Sequence, residues 1–274
     1  MSILDRIIDY KRTVVDRSKR EKPASALRKE LRQGKSGRLL NALRRPEHGL
    51  RFMAEVKRKA PSAGRLTELS PKQIAGVYQH LGVDAISVLT DEEFFGQPLD
   101  ALQEVREGSD RPRLRKDFII DEYQIWETVH TGAEGILLIA SVLDPGQLRE
   151  YHAMATELGL DPLVEIHSRD EWESLGFEPP LAGINNRTLD GDFSTDLSVT
   201  ESIAPDLPEE TVVISESGIN RPEDLERLRQ TKSVDGVLVG TALTRGTESP
   251  EDVAENLDPL LNAARGRTEK RVSE

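Results

Sequence analysis

The chain has 274 residues, which is enough for a sizeable core, and an α/β barrel of about 250 residues can form one domain. It contains no cysteine, which excludes disulfides, thiolate nucleophiles and Cys-ligated metals, and its five scattered histidines include no paired ligands for zinc. The 49 acidic residues exceed the 37 basic ones for a net charge of -12, which opposes binding to nucleic acid or an anionic membrane.

The sequence before residue 51 is charged and has a helical pattern. An apolar face recurs at helical spacing through Ile3, Leu4, Ile7 and Ile8. We therefore expect residues 1–50 to form a helical extension packed on the domain that follows. No stretch approaches the roughly 18 apolar residues of a membrane span, and charges interrupt the N-terminal region where a secretory signal would be apolar. We expect a soluble, cytoplasmic protein.

Eight short runs rich in β-forming residues then alternate with amphipathic helical patterns. The runs are RFMAEVK (51–57), DAISVL (84–89), PRLRKD (112–117), GILLIA (135–140), PLVEIH (162–167), LAGINN (181–186), TVVISE (211–216) and GVLVG (236–240). The sequence between and after the runs marks the starts of three helices. Ser70, Asp144 and Ser249 can each cap a helix, and each precedes a proline that suits the first helical position. Ser168 and Glu171 have the spacing of a capping box.

This alternation favours a parallel barrel over a doubly wound sheet, because no Gly-x-Gly-x-x-Gly opens the first crossover. We predict an α/β fold with a (β/α)8 TIM barrel over residues 51–265. An N-terminal helical extension (1–50) precedes it, and a charged C-terminal tail (266–274) follows.

Barrel enzymes place their sites at the carboxyl ends of the strands, so polar residues there predict the site. Because side chains alternate along a strand, Glu55 and Lys57 share a face, whereas Lys116 and Arg115 point oppositely. The polar strand ends comprise Glu55, Lys57, Lys116, Asp117, Glu165, Asn185, Arg187, Glu216, Ser217, Gly218, Gly240 and Thr241.

Lysine usage singles out two of these residues. The chain has 11 Lys against 26 Arg, yet Lys57 and Lys116 stand at strand ends. A partly buried Lys can exchange a proton near neutrality and an Arg cannot, so both are candidate acid–base groups, with a salt bridge as the alternative. Glu165 has apolar neighbours, and burial is expected to raise its pKa towards that of a working acid or base. A structural ion pair with a Lys is the alternative.

Two further features concern anions and salt. The loops ESGI and VGTAL follow strands seven and eight, where exposed backbone N–H groups commonly bind phosphate in barrels. The acidic, Lys-poor composition also suggests the hypothesis of salt adaptation, with an ordinary acidic protein as the alternative.

Taken in order, eight motifs resemble the indole-3-glycerol-phosphate synthases of tryptophan biosynthesis. They are AEVKRKAPSAG, SVLTDEEFFGQ, LRKDFIIDEYQI, GILLIASVL, LVEIH, GINNRTL, ISESGI and LVGTAL, and the likeness runs from about Ile3 to Leu261. The resemblance implies closure of 1-(2-carboxyphenylamino)-1-deoxyribulose 5-phosphate to an indole ring, with loss of carbon dioxide and water and without a cofactor or metal.

The same resemblance implies roles for the strand-end residues. Lys116 is expected to be the general acid, with Glu165, Glu55 and Lys57 as further acid–base groups. Phe95 is expected to line the anthranilate pocket. The substrate's polar groups are expected to meet Asn185, Arg187, Glu216 and Ser217, and its phosphate to meet Gly218, Gly240 and Thr241.

Two rival functions remain. A phosphoribosylanthranilate isomerase would share the barrel but needs a Cys that this chain lacks. A non-catalytic phosphate-binding barrel would not need the acid–base residues. We expect a small phosphorylated substrate, no nucleic acid or membrane partner, and a monomer or weak homodimer.

Overall fold

The computed structural model describes residues 2–29, 37–61, 63–188 and 194–267, and its centre is a closed barrel of eight parallel strands. Each strand pairs with its sequence neighbours, and β1 closes the barrel against β8. The predicted (β/α)8 barrel is confirmed, and each predicted run differs from its strand by at most one residue at either end. The strands are β1 (Arg51–Val56), β2 (Ala85–Leu89), β3 (Arg113–Lys116), β4 (Gly135–Ile139), β5 (Asp161–Ile166), β6 (Leu181–Asn185), β7 (Val212–Glu216) and β8 (Gly236–Val239).

Helices surround the barrel and extend it at the N-terminus. They are α1 (Ile3–Glu21), α2 (Ala24–Lys29), α3 (Arg38–Leu43), α4 (Pro71–Leu81), α5 (Glu92–Phe95), α6 (Ala101–Gly108), α7 (Glu122–Thr131), α8 (Pro145–Glu157), α9 (Arg169–Ser174), α10 (Ser198–Ile203), α11 (Pro222–Gln230), α12 (Thr241–Thr244) and α13 (Pro250–Ala264), with a 3-10 turn at Ala204–Asp206. Within the described ranges, no helix has the length and apolarity needed to cross a membrane. Residues 30–36 of the predicted extension and 268–274 of the predicted tail lie outside the described residues.

The helix starts follow the predicted signals, with one correction. Ser70, Asp144 and Ser249 cap α4, α8 and α13 as expected. At α9 the prediction of a capping box is wrong for one of its two hydrogen bonds. The hydroxyl of Ser168 accepts from the N–H of Glu171 at 3.2 Å, but the Glu171 carboxylate accepts from the N–H of His167 at 2.6 Å instead of returning to Ser168.

Strand alternation separates two cores. On β1, Phe52 and Val56 pack outwards against the helices, whereas Met53 joins the apolar interior of the barrel and Glu55 lines the cavity above it. Successive side chains of a strand point to opposite faces, so every second residue faces the barrel interior. A strand can therefore have an apolar side chain at its base and a polar one at its carboxyl end.

Helix α3 closes the amino end of the barrel. Leu39 and Leu43 are fully buried and join the interior apolar cluster. The carboxylate of Asp161, at the start of β5, accepts from the N–H groups of Gly37 (2.7 Å) and Leu39 (2.8 Å). This carboxylate satisfies N–H groups at the start of α3 that have no partner within the helix. The extension therefore seals the base of the barrel.

Candidate active site

A cavity of about 620 Å³ opens at the carboxyl ends of the strands, a size typical of small-molecule sites. All thirteen residues predicted for the site, the twelve at strand ends and Phe95, line it. They are Glu55, Lys57, Phe95, Lys116, Asp117, Glu165, Asn185, Arg187, Glu216, Ser217, Gly218, Gly240 and Thr241. Strand-end reasoning therefore brought together residues that lie more than 180 positions apart in sequence.

Lys116 lies at the centre of this cavity between two buried carboxylates. Its Nζ is 2.8 Å from Oε2 of Glu165 and 3.4 Å from Oε2 of Glu216. Burial disfavours the ammonium, but Glu165, Glu216 and Glu55 outweigh it and hold the pKa of Lys116 above its ordinary value. The free site therefore holds a charged lysine that can donate a proton, and the sequence-based expectation that burial would bring the pKa of Lys116 towards neutrality is wrong there.

The two carboxylates beside Lys116 differ in protonation. Burial alone would raise the pKa of Glu165, as expected from sequence, but Lys116 and His167 outweigh it and lower that pKa to about 2. The predicted direction for Glu165 is therefore wrong in the free site. Burial, with the charges of Glu165 and Glu55, instead raises the pKa of Glu216 to about 8. One carboxylate is thus ionised and the other protonated at neutral pH.

Two glycines make room for the carboxylates of neighbouring strands. A Cβ atom on Gly183 would overlap the carboxylate of Glu216, and one on Gly240 would overlap that of Glu55. Gly183 faces the interior of β6 beside β7. Sequence analysis did not select it, because a glycine inside a strand does not reveal which side chain occupies the space it leaves.

Glu55 and Lys57 form a second ion pair at the end of the first strand. Oε1 of Glu55 is 2.5 Å from Nζ of Lys57, as their shared face predicted. Arg187 also lines the cavity, and burial lowers its pKa despite the opposing charge of Glu55. Glu55 therefore has cationic side chains near it from two parts of the barrel, Lys57 after the first strand and Arg187 after the sixth.

Part of the cavity lining is apolar. Phe95 ends the short helix α5, and Phe118 follows β3. Helix α1 adds Ile3, Leu4 and Ile7 to the lining. Its apolar face was expected to pack on the barrel. Part of that face instead forms a wall of the cavity, so the extension contributes directly to the site.

A buried ion network fastens α1 to the rim. Nζ of Lys11 lies 2.8 Å from Asp91 and 2.7 Å from Asp117, and all three side chains are almost fully buried. Asp117 also pairs with Arg115 at 2.9 Å. Arg115, pointing away from the interior as predicted, reaches Glu127 of α7 at 2.9 Å. The charges on both sides of Lys116 are therefore structural, and sequence reasoning missed Lys11 because no local pattern marks its distant partners.

The loop after β7 has an unusual backbone. Ser217 and Gly218 both adopt positive φ, at 66° and 82°, although only glycine does so without strain. The side chain of Asn186 holds this loop, since its Nδ2 donates to the carbonyls of Glu216 (2.9 Å) and Ser217 (3.1 Å). Arg245 lines the cavity from beyond α12 and is exposed to solvent.

Metal-binding geometry is not found in the described part of the chain, where no group of three or more His, Cys, Asp or Glu side chains could hold an ion. The polar residues of the cavity are arranged instead as a lysine with an ionised and a protonated carboxylate. Such a group can deliver and remove protons at positions a few ångströms apart.

The chain is similar in sequence to proteins of one family over most of its length. The sequence model described as "Indole-3-glycerol phosphate synthase" matches residues 4–256. Curated proteins of that name include one from Halalkalibacterium halodurans, 42% identical over 258 residues (93% of this chain and 96% of that protein), and one from Salinibacter ruber, 41% identical over 260 residues (94% and 95%). A third, from Thermoanaerobacter pseudethanolicus, is 39% identical over 255 residues (92% and 96%).

Among solved structures, a mutant tryptophan synthase α-subunit from Pyrococcus furiosus has a TM-score of 0.58 at 16% identity, over 78% of this chain and 99% of that one. A thiamine phosphate pyrophosphorylase from the same organism has a TM-score of 0.55 at 15% identity, over 82% and 98%. These two likenesses concern the fold alone. The family match and the 39–42% identities go further, and the chain belongs to the indole-3-glycerol phosphate synthase family.

Proposed function

We propose that this chain converts 1-(2-carboxyphenylamino)-1-deoxyribulose 5-phosphate to indole-3-glycerol phosphate, releasing carbon dioxide and water. The observation that carries the proposal is the position of Lys116 in the cavity, with its Nζ 2.8 Å from the buried carboxylate of Glu165 and 3.4 Å from that of Glu216. Ring closure requires a proton at the substrate's carbonyl oxygen, and the later loss of water requires both a base and an acid. The three side chains supply those groups within one cavity.

We assign the first proton transfer to Lys116. Its ammonium donates to the ribulose carbonyl oxygen while the aromatic ring attacks the carbonyl carbon. Decarboxylation then restores the aromatic ring. In the dehydration steps Glu165 acts as acid or base, and Glu216, protonated at neutral pH, can donate to the departing hydroxyl. Glu55 and Lys57 form the second acid–base pair and anchor substrate oxygens.

The two faces of the cavity favour one orientation of the substrate. The flat anthranilate ring suits the apolar wall formed by Phe95 and Phe118. The phosphate is assigned to the opposite side, at the backbone of Gly218 and Gly240 and at the backbone and hydroxyl of Thr241. In this orientation the carbonyl lies over Lys116. The remaining polar groups of the substrate are assigned to Asn185, Arg187 and Ser217.

An assay for indole fluorescence with the purified protein tests the function. An isomerase would consume phosphoribosylanthranilate without forming indole, and a non-catalytic barrel would do neither. Formation of the indole product therefore distinguishes the proposed function from both alternatives.

The phosphate position is tested by inhibition. Inorganic phosphate should compete with substrate, and Thr241→Val should weaken that competition while Lys116→Ala leaves it unchanged. Gly240→Val is a poor test, because its side chain would also displace Glu55. Failure of phosphate to compete in the wild type would remove this assignment.

We further propose a cytoplasmic enzyme that is a monomer or weak homodimer. A doubly charged phosphate ester does not cross membranes unaided, which supports a location where the pathway's intermediates are made. Light scattering at several protein concentrations would determine the oligomeric state. A stable tetramer would contradict the proposal.

A further inference from the structure

The carboxylate of Glu165 has two different neighbours. Its Oε2 pairs with Lys116 at 2.8 Å, while its Oε1 lies 3.6 Å from Nε2 of His167. On the other side of the imidazole, Nδ1 of His167 lies 3.4 Å from Oε2 of Glu171. Successive contacts therefore join Lys116 in the cavity to Glu171, whose side chain is 25% exposed.

The environment of His167 favours its protonated form. Neither ring nitrogen makes a hydrogen bond to another described residue, although both are buried. The charged groups that act on the ring are Glu165 on β5, Glu171 on α9 and Lys116 on β3. Burial opposes a charge on the ring, but the two carboxylates outweigh it and raise the pKa of His167. Because the N–H of His167 donates to Glu171 at 2.6 Å, that carboxylate is held in place beside the ring.

The proposed reaction consumes a proton that the site has to supply. With a neutral carboxyl group, the substrate would yield the indole product, carbon dioxide and water in exact balance. A carboxyl group is already ionised at neutral pH, since its pKa lies near 4. Each turnover therefore takes up one proton. When Lys116 gives its proton to the substrate, the ionised Glu165 loses the cation that stabilised it, and a proton becomes favourable there.

We propose that His167 is the proton donor that recharges the Lys116–Glu165 pair in each turnover. The inference rests on the proposed function, because the demand for a proton comes from that reaction. His167 acts through Glu165 and is not itself among the described residues that line the cavity.

The transfer is balanced in atoms and charge. The N–H bond at Nε2 of His167 breaks and an O–H bond forms at Oε1 of Glu165. The imidazolium becomes a neutral ring that keeps its proton on Nδ1, facing Glu171. Nε2 is buried in the free site, so solvent protonates it again only when the ring moves after the product leaves; about 14% of the His167 side chain is already exposed. A small movement of the ring closes the 3.6 Å gap to hydrogen-bonding distance.

The variant His167→Gln tests this role, because its amide can bond to Glu165 but cannot release a proton. We expect kcat to fall about tenfold below neutral pH, less than the loss of a direct general acid. KM should change less than about twofold, because His167 does not contact substrate. The decline of wild-type kcat as His167 deprotonates should be absent from the variant. The matched control is His152→Gln, which alters a half-buried histidine packed against Phe177, with ring centres 4.9 Å apart, and should leave the pH profile unchanged.

A second measurement needs no turnover. Proton NMR of the free enzyme should identify the His167 ring by its loss in His167→Gln, and its pKa should lie above 6.5 and fall in both Glu165→Gln and Glu171→Gln. A pKa at or below 6.5, or a His167→Gln profile of kcat against pH that superimposes on the wild type, overturns the proton-donor role. A wild-type protein that forms no indole product overturns the proposed function instead.

Discussion

Two clusters of charge meet on the third barrel strand, and they differ in how completely their charges are paired. The outer cluster contains Lys11, Asp91, Arg115, Asp117 and Glu127, each bound to an opposite charge within 2.9 Å. The inner cluster contains Lys116, Glu165 and Glu216. There, one lysine faces two carboxylates, and neither oxygen of Glu216 makes a hydrogen bond to the described part of the chain.

This difference separates charges that hold the fold from charges to which we assign the chemistry. Burial alone would raise the pKa of Asp117, but Lys11 and Arg115 outweigh it and lower that pKa, so Asp117 stays ionised. The inner cluster keeps one carboxylate protonated and one ionised, with donors and acceptors left for a substrate. Because Arg115 and Lys116 are sequence neighbours, strand alternation alone decides which cluster each joins.

The largest effect should come from removing the inner cation. Lys116→Ala should lower kcat by about 10² to 10⁴, because a positioned general acid is lost, while substrate affinity stays within about tenfold. Lys116→Arg should be nearly as damaging, since it keeps the charge but cannot deliver the proton. Steady-state kinetics by indole fluorescence measure both variants, and more than half of wild-type turnover in Lys116→Ala would exclude the assigned role.

Removing the outer cation should instead affect stability. Lys11→Met leaves Asp91 and Asp117 without their buried partner, a change that typically costs about 3 to 5 kcal/mol in the free energy of unfolding. The matched control is Lys19→Met on the same helix, whose partly exposed pair with Asp121 should contribute less than about 1 kcal/mol. Urea unfolding compares the two variants. Equal losses of unfolding free energy in the two variants would show that burial of the outer cluster does not increase its contribution to stability.

The two clusters should also respond to pH with opposite sign. The pKa of Asp117 is lowered by folding, so its contribution to stability is present above its unfolded value and is lost as the pH falls. The pKa of Glu216 is raised from 4.5 to about 8, so its contribution is complete below 4.5 and is lost as the pH rises through that window.

Glu216→Gln isolates the inner part of this pH response. A neutral amide cannot ionise, so the variant should lose less stability than the wild type between pH 5 and pH 8. The difference should reach at most roughly 1.4 kcal/mol for each pH unit. Denaturant unfolding at several pH values measures it, and parallel curves for the two proteins would place the pKa of Glu216 near its ordinary value.

The smallest effect concerns charge outside both clusters. If the net charge of -12 reflects adaptation to salt, screening should relieve self-repulsion and raise the melting temperature by a few degrees. The Debye length falls from about 10 Å at 0.1 M salt to about 3 Å at 1 M. The buried outer cluster should be screened much less, so Lys11→Met should show the same salt increment. A flat melting temperature would count against salt adaptation.

Local pattern in the sequence was sufficient for the barrel and for the strand-end residues of the site. The eight runs from Arg51 to Gly240 alternate with capped helices, and strand periodicity places Glu55 with Lys57 and separates Arg115 from Lys116. These features depend only on residues a few positions apart in the chain, so they can be predicted from a single sequence.

Only the tertiary structure decided the charge states and the role of the extension. Glu165 was expected to have a raised pKa because its sequence neighbours are apolar, but the lysine that reverses the shift lies 49 residues away. Lys11 likewise finds Asp91 and Asp117 on two other elements, and Gly183 makes room for a carboxylate on the next strand. Electrostatic and steric effects depend on distances in space, which no local sequence pattern specifies.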